Sequence, residues 1–327
     1  MALSSLFSLK SLAVLVVLMA IPLGIIVSLE RAQPSTHVYK YHGTGGWLRE
    51  CAKWDPTNRR FIVSFFEGGV GEVRVPEEAE KEVLLEEVTT VMEVNLSGNS
   101  SLGISVDTQR NRVLVVHADV FGNRYSALSA YDLSTWQRLF LTQLSSPSDE
   151  KSFADDVDVD AEGNAYVTDA KAGKIWKVGV EGNLITIIRN PLFTPKEWYK
   201  KFVALNGIVY HPDGFLIVIH TFSGNLFKID LTKGEEVKVI KVAGGPLYFG
   251  DGLALLSPTK LVVAGNPSGR LVASKDGWET AAVVSKFSGP MHRLATSATV
   301  KDGKPYLNHM IGIGYPKKKF AIVEAVF

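Results

Sequence analysis

Glu50, Asp155, Asn206 and Asp251 are the residues whose types and spacing point most directly to chemistry. Each lies a few residues ahead of a turn that closes a short apolar run. These turns are Asp55-Pro56-Thr57-Asn58, Asp160-Ala161-Glu162-Gly163, His211-Pro212-Asp213-Gly214 and Ser257-Pro258. Counting back from the turn aligns Asn206 with Asp155, places Glu50 six residues before Pro56, and brings Asp251 into line once its turn is allowed one extra residue. Three carboxylates and one amide at one repeat position are the donors a hard cation takes. Calcium binds about six to eight such oxygens at roughly 2.3–2.6 Å. Without a cation, that much negative charge in a dry wall is costly. The same count puts Leu102 and Ala295 at this position in two further repeats, so the expected site has four polar sides and an apolar wall. The competing expectation is that each Asp caps its own turn, as Asp158 and Asp213 are placed to do.

Those four residues belong to a repeat. From Tyr39 onward, runs rich in Val, Ile, Phe and Tyr are bounded by Gly, Asp, Asn and Pro, and long helical periodicity is nearly absent. The clearest unit reads Phe153 to Gly163, Asn164 to Asp169, Gly173 to Val178 and Leu184 to Ile188, four strands with tight turns. A second copy starts at Val203 and a third at Phe249, with fainter ones near Trp47, Leu102 and His292. Matching positions recur every 44 to 53 residues, the length of a four-stranded propeller blade. The expected fold is therefore all-β, a six-bladed β-propeller whose first strands line a central channel. A pair of β-sandwiches is the alternative, and it leaves the regular period unexplained. The last copy lacks an outer strand, which His37 to Tyr41 would supply to close the ring. Gly68-Gly69-Val70-Gly71 reads as a hairpin turn, and Val83 to Val94 as an outer strand with its linker.

The first 31 residues differ from the rest. Ser11 to Leu29 is a run of 19 uncharged residues between Lys10 and Glu30-Arg31. It is at the short end for a membrane-spanning helix and long for the core of a cleaved signal. With no clean small-x-small cleavage site, residues 1–31 are expected to be an uncleaved signal anchor rather than a signal peptide. Residues 32–327 then form the propeller, sent by the positive-inside bias into the secretory pathway, luminal or extracellular. Two sequons, Asn95-Leu96-Ser97 and Asn99-Ser100-Ser101, suit a glycosylated loop. Cys51 is the only cysteine, so no disulfide can form within the chain. Thirty-five Lys and Arg against 34 Asp and Glu give a net charge of +1, which leaves no global field for nucleic acid. The expected partners are a small-molecule substrate and a membrane met through the N-terminal segment only, with the chain a monomer. Gly-x-Ser-x-Gly, a Walker lysine loop, His-Glu-x-x-His and paired Cys-x-x-Cys are all missing from the sequence.

At the four polar positions the chain resembles the six-bladed propellers of the senescence marker protein, gluconolactonase and luciferin-regenerating-enzyme superfamily, and it looks like a plant member. The resemblance runs over roughly residues 45 to 300. It rests on Glu50-Cys51-Ala52-Lys53-Trp54, similar to Glu-Gly-Pro-x-Trp; Asp155-Asp156-Val157, similar to Asn-Asp-Val; Leu205-Asn206-Gly207; and Gly250-Asp251-Gly252, similar to Pro-Asp-Gly. It implies that Glu50, Asn206 and Asp251 are ligands of a catalytic Ca2+, with Asp155 where the family usually has Asn. Cys51-Ala52 also departs from the usual Gly-Pro. The implied activity is hydrolysis of small esters, lactones or phosphoesters, the ion polarising an oxygen while Asp251 or Asp155 activates water or attacks. His292, at the start of the sixth first strand, is a third catalytic candidate, and His117 and His220 are candidate rim residues. Two alternatives stand beside this reading: a metal-free, strictosidine-synthase-like enzyme, and a non-catalytic interaction propeller anchored to a membrane.

Overall fold

A computed structural model describes residues 9–31, 36–77, 80–266 and 269–327. The chain forms two units, Met1–Ser35 and Thr36–Phe327. The first contains helix α1 (Leu9–Arg31), interrupted in sequence by Pro22. Its described apolar side chains from Val14 to Leu29 are exposed, except half-buried Ile26. Among the described residues no helix is long and apolar enough to cross a membrane.

The second unit is β-sheet throughout. Strand β1 (Val38–His42) comes first in the chain, and four-stranded antiparallel groups follow. Group one is β2 (Arg49–Asp55), β3 (Arg60–Phe65), β4 (Val70–Arg74) and β5 (Glu82–Val91). Group two is β6 (Ser100–Asp107), β7 (Arg112–Ala118), β8 (Ser126–Asp132) and β9 (Arg138–Ser145), and group three is β10 (Ala154–Val159), β11 (Ala165–Asp169), β12 (Lys174–Val178) and β13 (Leu184–Arg189). Group four is β14 (Leu205–His211), β15 (Phe215–His220), β16 (Asn225–Asp230) and β17 (Glu236–Ala243). Group five is β18 (Gly250–Ser257), β19 (Lys260–Gly265), β20 (Gly269–Ala273) and β21 (Thr280–Phe287). The last is β22 (Ala295–Lys301), β23 (Lys304–Ile313) and β24 (Lys319–Glu324), whose fourth strand is β1, antiparallel to β24 from Val38↔Val323 to His42↔Lys319.

The first strands neighbour one another in a closed cycle, β2 to β6, β10, β14, β18, β22 and back to β2. The fold is thus mostly β and propeller-like, with one N-terminal helix. Outermost strands of neighbouring groups also pair in parallel, β1 with β5 and β17 with β21. This joins the groups at two places on the rim.

Core residues lie between the groups. Tyr39, Tyr41, Trp54, Phe61, Tyr306 and Phe320 pack where the last group meets the first, and Ile219, Leu247, Val263, Val272 and Trp278 pack between groups four and five. Buried arginines tie the turns together. Arg60 is paired with Asp55 and Glu72 and donates to the Leu133 carbonyl in group two. Arg112 is paired with Asp107 and donates to the Gly163 and Val180 carbonyls in group three. With its carboxylate partner removed, each would leave a buried charge unpaired, at about 3–5 kcal/mol.

The Gly68-Gly69 turn joins β3 to β4 with both residues at positive φ, 96° and 99°. A Cβ on Gly69 would stand 2.8 Å from the Val91 carbonyl oxygen, so conformation and space both favour glycine there.

Candidate functional site

All six first strands carry the same irregularity. In β2 the pairing passes from Arg49↔Phe65 to Ala52↔Val63, three residues against two, a one-residue bulge. The same step occurs at 101–104, 154–157, 205–208, 250–253 and 295–298. The residue just after the first pair of each bulge is Glu50, Leu102, Asp155, Asn206, Asp251 and Thr296. The structure therefore brings the four predicted polar residues to one level of the ring.

The sixth position is corrected: Thr296, not Ala295, is the equivalent residue. Its hydroxyl donates to the Glu50 carbonyl at 2.5 Å. Turn lengths cause the miscount, since four residues separate Asp55 from Arg60 but only Asp302-Gly303 separates Lys301 from Lys304.

One residue further along each bulge, neighbouring strands come close. A Cβ on Gly207 would lie 2.2 Å from the Asp251 carbonyl oxygen, and one on Gly103 would lie 2.5 Å from the Asp156 Cα. Asp156 is the exception that keeps a charged side chain at this level. It accepts from its neighbour Val157 N at 2.9 Å and from Ile208 N of the adjacent strand at 3.4 Å. Bonds between strands hold the ring: Thr168 Oγ1 to the Asn206 carbonyl at 2.6 Å, Asn308 Nδ2 to the Arg49 and Glu50 carbonyls at 2.7 and 3.0 Å, and Ala52 N to Ser297 Oγ at 2.9 Å.

The carboxyls raise one another's pKa. Burial, then Asp251, Asp155 and Asp156, hold Glu50 well above the ordinary carboxylate range. Asp155 is pushed up by burial, Asp251 and Asp156. Asp251 is pushed up to about 8 by burial and Asp156, against hydrogen bonds from the Asn206 side chain and the Gly252 N–H. Two buried oxygens at this level, Asp155 Oδ2 and Asn308 Oδ1, have no hydrogen-bond partner.

Deeper in the ring, Lys53 opposes these charges. Its Nζ donates to the Ala298 carbonyl at 3.0 Å and the Leu253 carbonyl at 3.3 Å. Burial alone would lower its pKa, but Asp156, Asp158 and Glu50 hold it raised. Lys53 in turn restrains Asp156, which burial still lifts to about 6. Asp158 does not cap its own turn. It accepts from Ser105 Oγ of β6 at 2.9 Å and from Tyr210 N of β14 at 2.7 Å, and so joins three first strands. Asp160 is the turn cap, accepting from Asn164 N at 2.7 Å and Tyr166 OH at 3.0 Å. Lys53, Ser105, Asp158 and Tyr210 line a cavity of about 350 Å³ at this end.

His292 sits in the short turn Met291–Arg293 ahead of β22, half-buried, and its charge bears on His309. The two proposed rim histidines are core residues instead. His117 is bonded to Ser101 and Ser129 hydroxyls, and burial lowers its pKa to about 3. His220 is fully buried, and burial lowers it to about 4.

Lys53 and Asp156 are the charged residues that counting from turns passed over. The sequence signal for them is a charge just past the Glu50 and Asp155 positions, inside an otherwise apolar inner strand.

The loops at the opening nearest Glu50 and Asp251 carry every exposed aromatic among the described residues. Trp47 precedes β2; Trp198, Tyr199 and Phe202 precede β14; Tyr248 and Phe249 precede β18; Phe121 and Tyr315 lie in the β7–β8 and β23–β24 turns. The far end carries none.

Three carboxyls and two amides, with Asp155 Oδ2 and Asn308 Oδ1 unpartnered, are the chemistry a hard cation takes. Among the described residues, however, no three His, Cys, Asp or Glu side chains are grouped so that they could hold a metal ion. The donor set fits in kind, and the present spacing is not a preformed cage.

No family model and no curated protein matches this chain in sequence. In structure it is similar to six-bladed β-propellers at low identity. The Malassezia sympodialis allergen Mala s 1 aligns with a TM-score of 0.68 at 15% identity, covering 90% of this chain and 97% of the allergen. A protein of unknown function from Bacteroides caccae gives 0.55 at 11%, covering 75% and 82%. A catalytically inactive virginiamycin B lyase from Staphylococcus aureus with quinupristin gives 0.50 at 16%, covering 72% and 73%. At these identities the likeness is one of fold. The propeller is shared by enzymes and by non-catalytic proteins, and the expected superfamily membership stays a resemblance.

Proposed function

We propose that the chain is a six-bladed β-propeller whose acidic ring binds a divalent cation, Ca2+ in the first instance, and hydrolyses a small ester, lactone or phosphoester at that opening. The observation that carries this reading is the common bulge position of Glu50, Asp155, Asn206 and Asp251, where carboxyls lift one another's pKa and Asp155 Oδ2 has no partner. These four residues would hold the ion, which when bound supplies Lewis-acid polarisation of a substrate oxygen. Asp251 is placed to take a proton from water at a carboxylate oxygen, and the Asn206 amide orients it. The surrounding aromatic side chains bind the apolar part of a substrate and limit water. Asp155 and His292 remain secondary candidates for proton transfer.

One observation favours a metal-free variant of the same site: the carboxyls form no preformed metal group, and Asp251 with a pKa of about 8 holds its proton at neutral pH. In that variant Asp251 is a general acid. We further propose, on the sequence pattern alone, that the N-terminal segment directs the chain to the secretory pathway.

Isothermal titration of the chelator-treated protein with Ca2+ at pH 7 tests the first reading. Saturable binding at one ion per chain is expected, lost in Asp251→Asn and Glu50→Gln. Because Asp251, pushed up to about 8, holds its proton at that pH, binding must release protons, and the measured heat must change with the buffer's ionisation enthalpy. Ester turnover undiminished by chelator, together with no calcium heat, would select the metal-free variant.

A further inference from the structure

Four buried cations among the described residues have carboxylate partners, and Arg270 does not. Arg49 is paired with Glu87, Arg60 with Asp55 and Glu72, Arg112 with Asp107, and Lys174 with Asp169 and Glu150. Arg270, the second residue of β20, is 9% exposed. Among the described residues it forms no ion pair. Its Nη2 donates to the Tyr248 carbonyl at 2.9 Å and, weakly, to the Asn266 carbonyl at 3.4 Å. Its Nη1 is buried with no partner at all. Burial lowers its pKa, and no neighbouring charge opposes that.

The cross-strand partner of Arg270 on β21 is Lys286. Two cations directly opposite on one sheet face repel each other, and Lys286 is exposed. On the other side Arg270 pairs with Val263 of β19, at the edge of the core between groups four and five. A guanidinium is a planar fork matched to carboxylate and phosphate. A buried one left without an acid is costly, and a bound oxyanion removes the orphaned donor and the cation–cation repulsion together. The loop that supplies the Tyr248 carbonyl runs directly into β18, so this place lies at the opening where Asp251 sits. β20 is two strands out from β18, about 10 Å at the usual strand spacing.

We propose that Arg270, assisted by Lys286, is an oxyanion-binding site at the channel opening, taking a carboxylate or phosphate group of a small ligand about 10 Å from the strand that carries Asp251. The site does not depend on whether the acidic ring holds a cation.

The test is thermal unfolding of the intact protein in inorganic phosphate, in acetate and in sodium chloride at matched ionic strength. The expected result is a saturable rise in Tm with phosphate or acetate beyond that in chloride; which of the two acts identifies the anion class. Arg270→Gln should abolish that rise and should itself fold, since it removes an unpaired buried charge. Lys286→Gln, a surface change, should raise the apparent dissociation constant several-fold. A Tm rise of equal size in both variants and wild type, or none beyond chloride in wild type, would overturn the proposal. Should Arg270→Gln not fold, an unchanged dissociation constant in Lys286→Gln overturns it equally.

Discussion

Replacing Asp251 with Asn should stabilise the metal-free protein, and the gain should grow with pH. In the folded chain the Asp251 carboxyl is pushed up to about 8 by burial and Asp156, whereas in the unfolded chain it titrates near the ordinary value, about 3.9. Between those values the unfolded state has released a proton that the folded state keeps. Fewer protons are bound in the unfolded state, so stability falls as pH rises across that window. A shift of about four units corresponds to an upper limit of roughly 5 kcal/mol at pH 8. Asp251 retains partial solvent access at the channel opening, and water there reduces the term to about 2 kcal/mol. At pH 5 only about a quarter of the upper limit has been lost. For a body of this size, about 2 kcal/mol moves Tm by roughly 3 °C.

The measurement is the Tm of wild type and Asp251→Asn from pH 5 to 8.5 in chelator. The curves should lie close together at pH 5 and separate by a few degrees at pH 8. Added Ca2+ should reverse their order at pH 8, because only wild type keeps the full ligand set. Parallel curves, or a variant less stable than wild type at pH 8 in chelator, would refute the argument that the acidic ring is an electrostatic strain in the empty site.

Two further outcomes follow from the ring and its closure. Lys53→Met removes the cation that restrains Asp156 and Glu50, so denaturation at pH 8 should show a loss of about 2–4 kcal/mol. The loss should shrink at pH 5, where Asp156, already lifted to about 6, holds its proton; an equal loss at both pH values would mean that Lys53 matters only for packing. Tyr41→Ala empties a fully buried site stacked on Phe320 at 5.4 Å between ring centroids. It should cost about 3–5 kcal/mol and open β1 and β24 to proteolysis first, and a cost below about 1 kcal/mol would deny β1 its closing role.

The blades were legible because each strand type has its own punctuation. Four strands per unit, the outer strand within Val83 to Val94, and a closing strand at the start of the body can all be read from β-branched runs and turn residues. The expected closing strand His37–Tyr41 is β1 (Val38–His42), displaced by one residue. The bulge was not legible. A one-residue insertion leaves the alternation on either side intact and only changes its phase, so a count from the turn succeeds or fails with the length of that turn. It reached Leu102 and missed Thr296 for that reason.

Charges within inner strands were harder still. Asp158 resembles a turn cap by its place in sequence, yet it is bonded across to β6 and β14. Those partners, Ser105 and Tyr210, are about fifty residues away on either side. His117 and His220 end apolar runs, as rim residues would, yet both are buried.

The bulge also explains why the site has sides. At the level of Glu50 the ring offers oxygen from groups one, three, four and five, a hydroxyl from Thr296 that is spent on the Glu50 carbonyl, and the apolar Leu102. A ligand there meets oxygens around most of the ring and hydrocarbon at group two, between Glu50 and Asp155. Substitution of Leu102 by Asp should therefore be the severest single change at this level. It adds a fourth carboxyl to a ring that already keeps Asp251 protonated at pH 7, with Lys53 as the cation beneath. Without metal that variant should lose stability steeply above pH 6, and with Ca2+ it should recover more than wild type does. Recovery no greater than that of wild type would mean that Leu102 does not face the ion, and the common register inferred from the bulge would fail at group two.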